Sequence, residues 1–530
     1  MKRITQNIFC LVLLIAVMLQ IQGCRKEQEV GVNPYAGGKE PLGIVFTKAK
    51  ASPESGRPGE ILTLNVRGLL KHDTKFKLYL NKVEVEVSNL TETTVDIKIP
   101  AEVSSGMVTV VLDNQIFYGP FVGVEGKARV DTDFKIVNGF NNSIAQILAH
   151  SGGFLVTGYF TDFENQATNT NSISSIHFLN SLGQTSSAMN FGHRAIGGIN
   201  AIEKLSNGQF IIGGSLTAYN KRSVGGLTRL LANGSLDTMI VSVINPEPEK
   251  KPLDGFDTVS TFNGRLYGSI RNIFTAEDNS VIAVGGFSYH SKIDYNYSSR
   301  ENRRYITTRV NNIAKLKSDG SLDSSFNINN VGFNGFVTQA VKLNDGRIVA
   351  VGRFTSYNGK AAKNIVCIKP NGAIDETFAV GGTDEAIFSI TYNSVVDKIV
   401  VAGNFKKFAG QEVKGVAIIN GDGTIDPTFK FGTLDDEGSA SYAYVLNNGR
   451  VFVQGMFLAY NGTPRNGMLI LEPNGIAKQE YNNLGGFTGQ VNTLLETTSS
   501  IGNPAILLGG FIFSVDGKSV GNIVKIELNN

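Results

Sequence analysis

Two patterns of apolar and polar positions divide this chain. Between residues 43 and 125, runs such as "ILTLNVRGL", "FKLYLNKVEVEV", "TVDIKIP" and "MVTVVLD" alternate or are β-branched, with Gly, Pro and Asn between them. Several short strands within about eighty residues predict an immunoglobulin-like sandwich. From 130 to 530 a longer rhythm takes over. Seven apolar strands end in glycine: "FLVTGYF" at Gly158, "QFIIGGS" at Gly213, "VIAVGGF" at Gly285, "IVAVGRF" at Gly352, "IVVAGNF" at Gly403, "VFVQGMF" at Gly455 and "AILLGGF" at Gly509. Successive glycines lie 55, 72, 67, 51, 52 and 54 residues apart. A period near fifty built only of strands predicts a β-propeller of seven blades. The expected fold class is all-β.

The fourth repeat shows the expected unit. "FVTQAVKL" leads through "NDGR" to "IVAVGRFTSY", then through "NG" to "NIVCIK", and through "PNG" to "AIDETFAV". Asn-Gly and Asp-Gly between apolar runs are hairpin signals, because these residues accept positive φ. Glycine at the end of the second strand predicts a contact too close for a Cβ. The strings "KSDGSLDSSF", "KPNGAIDETF" and "NGDGTIDPTF" then place Asp323, Asp375 and Asp426 three residues before Phe326, Phe378 and Phe429. The aspartate is expected to accept nearby backbone N–H groups of the turn, and the ring to pack between blades. A calcium loop would need six to eight oxygens, and each string offers one or two carboxylates. The motif reads as a corner.

The N-terminus reads as an export signal. Lys2 and Arg3 precede a twelve-residue apolar run at 8–19, too short to span a bilayer. The run ends in "IQGC", which resembles the lipobox of bacterial lipoproteins, with Cys24 as the lipidated residue and 1–23 as the signal peptide. Residues 24–42 are polar with Gly and Pro, as expected of a tether. The string "RKEQE" after Cys24 is similar to the surface-export signals of Bacteroidetes lipoproteins. Within 43–125, "ASPESGRPGEILTL" and "KIPAEVSSGMVTVVL" resemble the IPT/TIG immunoglobulin-like family, whose domains are spacers or binding modules. The propeller units resemble the delta-60 repeats of bacterial surface proteins, through "LKSDGSLDSSF" and "VKLNDGRIVAVGRF". Unit seven stops at "NIVKIELNN" without a fourth strand, whereas "VDTDFKIVNGF" near residue 130 keeps the Asp-x-x-Phe spacing at Asp131 and Phe134. Residues 130–137 are therefore expected to supply the missing outer strand and close the ring.

Composition narrows the function classes. Of three cysteines, only Cys367 would remain after lipidation of Cys24, so no disulfide framework is expected and Cys367 reads as a small buried residue. The net charge of +3 falls to about +1 without Lys2 and Arg3, and no long basic run exists. Nucleic acid is thereby excluded as the expected partner. Catalytic signatures such as His-Glu-x-x-His or Gly-x-Ser-x-Gly are absent from the sequence. The histidines at 72, 150, 177, 193 and 290 lack ligand spacing. No enzyme, metal or cofactor is expected, although carboxylates distant in sequence could still converge at the propeller axis.

The uneven spacing points to a site. One insertion, 241–268, joins the second blade to the third, and another, 288–308, links the second and third strands of blade three. Both connections emerge on the same face of an antiparallel blade, so both are expected to cover one sector of that face. The second insertion carries Tyr289, Tyr295, Tyr297 and Tyr305 with Arg300, Arg303 and Arg304. Tyrosine faces and guanidinium forks suit sugars, carboxylated glycans or a protein surface; a solvated loop covering its own apolar neighbours is the alternative. Tyr219, Tyr357, Phe408 and Tyr460 recur once per blade, which favours packing. Three readings follow: a lipid-anchored outer-membrane binding protein, facing the cell surface or the periplasm; a protein-interaction or adhesion scaffold; and a polysaccharide hydrolase or lyase. The resemblance to Bacteroidetes lipoproteins implies, for the first, oligosaccharide or polysaccharide capture beside a TonB-dependent transporter, with the membrane reached through the lipid alone.

Overall fold

Buried Leu62, Leu64 and Val66 alternate with half-buried or exposed positions along Ile61–Arg67, and Val108, Val110 and Leu112 do so along Gly106–Leu112. Each strand thus buries one side, and the two sheets close on a shared core that also takes in Leu78, Val95 and Ile97. One sheet runs Val45–Phe46, Ile61–Arg67, Thr94–Lys98, Glu86–Leu90. The other runs Ser55–Gly56, Gln115–Val124, Gly106–Leu112, Lys77–Leu80, Val83–Glu84. The computed structural model describes residues 41–168, 172–327, 331–378 and 381–529. The expected signal peptide, Cys24 and nearly all of the tether lie outside the described residues.

Beyond residue 127 the chain is a β-propeller. Among the described residues seven sheets follow one another, with inner strands Ile144–His150, Ile199–Lys204, Arg265–Thr275, Phe336–Lys342, Ile387–Asn393, Ser439–Val445 and Phe487–Thr498. Each inner strand touches the next, and the seventh returns to the first. The apolar cores lie between sheets rather than within them. Phe326 packs with Phe333 and Val337 of the following sheet, Phe378 with Ile390 and Phe405, and Phe429 with Ala443 and Phe457.

Glycine sets the inner edge. Every inner strand carries a β-bulge, for example between Val337 and Gln339, opposite the end of its neighbour. A Cβ at Gly158, Gly285, Gly352, Gly403 or Gly455 would lie 2.0–2.3 Å from a carbonyl oxygen of the inner strand. In the second and seventh sheets the equivalent residues are Gly214 and Gly510, one beyond the expected Gly213 and Gly509. The turn residues also divide the work. Asn358 and Gly359 both have positive φ, as a type I′ turn requires, but in the "PNG" turn only Gly372 does.

The corner motif is as expected, with an addition. Oδ1 of Asp323, Asp375 and Asp426 accepts the backbone N–H of Ser325, Thr377 and Thr428, and their hydroxyls donate to the same oxygen. Each Oδ2 faces a cation: Lys315 at 3.6 Å, Arg347 at 2.9 Å and Lys398 at 2.8 Å. These bonds hold the Asp323, Asp375 and Asp426 carboxyls below their usual range against the opposing effect of burial. Because the chain turns there, the expected fourth strand shrinks to a single bridge, Ile368 with Ile374 in the fourth sheet.

The ring closes with Ala128–Val130, which pairs antiparallel with Ile523–Leu528, Arg129 opposite Glu527. The expected closing segment, 130–137, began two residues too late. Its Asp131 and Phe134 instead build another corner: Asp133 N donates to Asp131 Oδ1 at 2.9 Å, and Phe134 is buried. The sandwich is bound directly to this propeller. Asn483, itself buried, donates to Val124 O and Ala128 O at 2.9 Å, and its carbonyl accepts Ser105 N at 2.8 Å.

Candidate functional site: a raised sheet on one face

In the third sheet the second strand does not stop at its glycine. Val281–Ile293 continues past the face of the ring, flanked by the start of Arg265–Thr275 and by Tyr305–Arg309, so a three-stranded sheet stands above the propeller. The other insertion forms its own hairpin, Thr238–Ser242 with Phe256–Ser260. The two meet: Ile244 N donates to Ser298 O at 2.8 Å, and Thr238–Ser242 touches the turn Tyr295–Tyr297. Both insertions therefore cover one sector of one face.

The nominated residues fall into two groups. Arg300 donates to Phe256 O at 2.6 Å, Asp254 Oδ1 at 2.6 Å and Leu253 O at 3.0 Å, and Arg303 pairs with Asp257 at 2.7 Å. These two guanidinium groups tie one insertion to the other. The Tyr295 hydroxyl is turned inward, and burial pushes it up to about 12. Tyr289, Tyr297 and Tyr305 face solvent at 45%, 64% and 44% exposure, and Arg304 stacks over the Tyr297 ring at 4.8 Å. Tyr267, which sequence reasoning missed, joins them at 40% exposure with Arg265 over its ring at 5.5 Å. Its signal was an aromatic at the edge of the first insertion, in "NGRLYG".

Strand pairing orders this ledge. Tyr289 lies opposite Arg309, and Tyr305 opposite Ile293, so both tyrosines project from the same side of the sheet, roughly 13 Å apart along the strands. Beside them a groove of about 610 Å³ opens toward the fourth sheet, lined by Arg309, Val331, Phe333 and the exposed Phe336. The arrangement offers flat apolar rings and charged donors over an extended surface.

Elsewhere among the described residues the histidines lie apart in packing positions. His177 is buried between Phe140 and Phe163, His150 packs on Phe210, and His72 bonds to Leu42 O. Among the described residues no group of three or more His, Cys, Asp or Glu could hold a metal ion. Of the inner-strand carboxylates, Glu203 is pushed up to about 7 by burial, whereas both oxygens of Glu496 accept Asn447 N. Cys367 is buried, and desolvation pushes its thiol up to about 12. The recurring turn aromatics pack: Tyr219, Tyr357 and Phe408 are fully buried and Tyr460 nearly so, and the three tyrosines donate to Gly234, Gly372 and Gly475 carbonyls. No helix among the described residues is long and apolar enough to cross a membrane.

Residues 22–120 match a domain of unknown function, DUF5008. Residues 205–238, 304–326, 343–378 and 397–429 match a β-propeller domain of unknown function, DUF5122. Each of the last three segments ends on the phenylalanine of an Asp-x-x-Phe corner. No curated protein matches the chain. Among solved structures, the WD40 β-propeller domain of Doa1 is 12% identical over 75% of this chain and 96% of its own, with a TM-score of 0.38. A gluconolactonase from Xanthomonas campestris is 9% identical over 76% and 98%, TM-score 0.27. An auxiliary nutrient binding protein from Bacteroides ovatus is 13% identical over 68% and 94%, TM-score 0.18.

Proposed function

We propose that this protein is a non-enzymatic binding lipoprotein that captures an oligosaccharide or polysaccharide on the raised sheet. The observation that carries the reading is the ledge of exposed Tyr267, Tyr289 and Tyr305 on an antiparallel sheet, with exposed Tyr297 in the turn that joins two of its strands. Aromatic faces cover the apolar faces of sugar rings, and neighbouring guanidinium donors orient hydroxyl or carboxylate groups. The spacing of Tyr289 and Tyr305 suits an extended chain rather than a single sugar. Lipidation at Cys24 would hold the molecule at the outer membrane, and a TonB-dependent transporter is the partner that a capture role in nutrient uptake implies.

Glycan-array binding followed by calorimetry tests this on the chain from residue 25 onward. Tyr289→Ala/Tyr297→Ala/Tyr305→Ala should lower affinity at least tenfold without shifting Tm. Retained affinity in that variant would sink the site, and cleavage of any polysaccharide would favour a hydrolase or lyase.

A further inference from the structure

The strand Tyr305–Arg309 is the outermost of the raised sheet, and all five of its residues are exposed. Its hydrogen-bonding phase is fixed by two bonds to the neighbouring strand: Val310 N donates to Ser288 O, and Asp294 N to Arg304 O, both at 2.9 Å. In an antiparallel ladder bonded residues alternate, so Ile306 and Thr308 face inward. The N–H and C=O of Tyr305 and Thr307 therefore point away from the sheet, and no described strand pairs with them. Open edges are ordinarily blunted by lysine, proline, a bulge or a covering loop. Residues 305–308, "YITT", contain no proline or charge, and their register with the neighbouring strand is unbroken.

We infer that this edge is a self-association surface, taken by the same strand of a second copy. The sequence is self-complementary about a two-fold axis at Ile306. Tyr305 then lies opposite Thr307 of the second copy, and Thr307 opposite its Tyr305, which closes four N–H···O bonds between the chains. Ile306, 43% exposed in one chain, meets its own counterpart. Aromatic–β-branched pairs and an apolar centre are favourable cross-strand neighbours. Arg304 falls opposite Thr308, and at each end of the ladder Arg303, whose guanidinium is already paired with Asp257 at 2.7 Å, falls opposite Arg309. The contact is isologous and closes as a dimer, not a fibre. Its area is small, and association is correspondingly weak. The inference stands whether or not the ledge takes a sugar.

Sedimentation equilibrium of the chain from residue 25 onward, from about 10 μM to about 500 μM, tests it in the range expected of weak interfaces. The dimer fraction should rise with concentration. Thr307→Pro removes an outward donor while leaving the bonds to the neighbouring strand intact. Ile306→Lys sets two ammonium groups face to face and serves if the proline variant misfolds. Each should weaken association at least tenfold at unchanged Tm. A wild-type chain that stays monomeric at the highest concentration, or a dimer that both variants leave intact, overturns the inference. In the first case the edge is left to an extended strand of a different protein.

Discussion

The side-chain Oε1 of Gln339 accepts the backbone N–H of Ile390 at 3.1 Å, joining the inner strands of neighbouring sheets. All seven junctions carry such a bond between a polar side chain and the next backbone. Gln146 accepts Ile202 N, Asn272 accepts Ala340 N and Gln454 accepts Val491 N. Asn200, Thr391 and Asn492 donate to Ile270 O, Ala443 O and Ile144 O. Most of these side chains sit at or beside the bulges, whose irregular backbone frees groups that a regular ladder would satisfy.

Gln339→Ala should therefore leave the N–H of the fully buried Ile390 without its partner. The expected loss is about 1–3 kcal/mol, read as a lower urea midpoint at unchanged slope. A midpoint identical to wild type would mean the belt contributes nothing.

Much of this architecture is legible in the sequence, because its strongest signals are backbone constraints. A glycine whose added Cβ would lie 2.0–2.3 Å from a carbonyl oxygen cannot be replaced, and it marks every sheet. The error at Gly213 and Gly509 arises because each stands in a Gly-Gly pair, where composition cannot say which residue meets the bulge. Closure was readable from the missing last strand and the orphan Asp131, but its register was not, since "KARV" carries no turn signal of its own. The clamps by which Asn334 and Asp384 accept paired backbone N–H groups of the next turn were missed. Asn141 and Asp435 make the same clamp, so it recurs from sheet to sheet, but Asn interchanges with Asp there and the irregular loops around it carry no shared apolar pattern to flag it. At the candidate site the tyrosines could be nominated by composition, whereas the commitment of Arg300 and Arg303 depends on a hairpin some forty-five residues away.

Stability should fall in acid through His177. The ring is 1% exposed; burial first, and the adjacent Arg194 second, push it down to about 3. Arg194 donates to Nδ1, so the neutral ring carries its proton on Nε2, toward Thr185. With the folded value below the ordinary one near 6.5, the unfolded chain takes up the proton first. The stabilisation is complete above that pH and declines as pH falls from 6.5 toward 3. Urea midpoints between pH 7 and pH 4 should show a shallower slope for His177→Gln than for wild type. An equal slope would assign the acid sensitivity to other groups, His290 first, which burial pushes down to about 4.

The sandwich and the propeller should unfold together. Asn483 bonds to Val124, Ala128 and Ser105, while Arg465, 3% exposed, pairs with Glu102 of the sandwich at 3.0 Å. A spacer swinging on a free hinge would show none of these bonds. Wild type should give one calorimetric transition, and Asn483→Ala should separate it into two. Two transitions already in wild type would show that the contact is too weak to couple the domains.

The closing strand should govern the whole propeller rather than its last sheet. Removing residues 521–530 deletes Ile523–Leu528, to which both Pro504–Val515 and Ala128–Val130 are paired. It also deletes Lys525, 2% exposed, whose ammonium donates to Ser181 O at 3.0 Å, faces Asp131 Oδ2 at 3.9 Å and lies over the Phe134 ring at 4.7 Å. Those partners belong to the first sheet and to the segment entering it, so the truncation opens the ring between its first and last members. Two unpaired edges and an uncompensated buried carboxylate then appear together. Native-state hydrogen exchange on the truncated chain should show protection lost across all seven inner strands. Protection lost only in Phe487–Thr498 and Pro504–Val515 would show that the sheets stand independently and that closure is incidental.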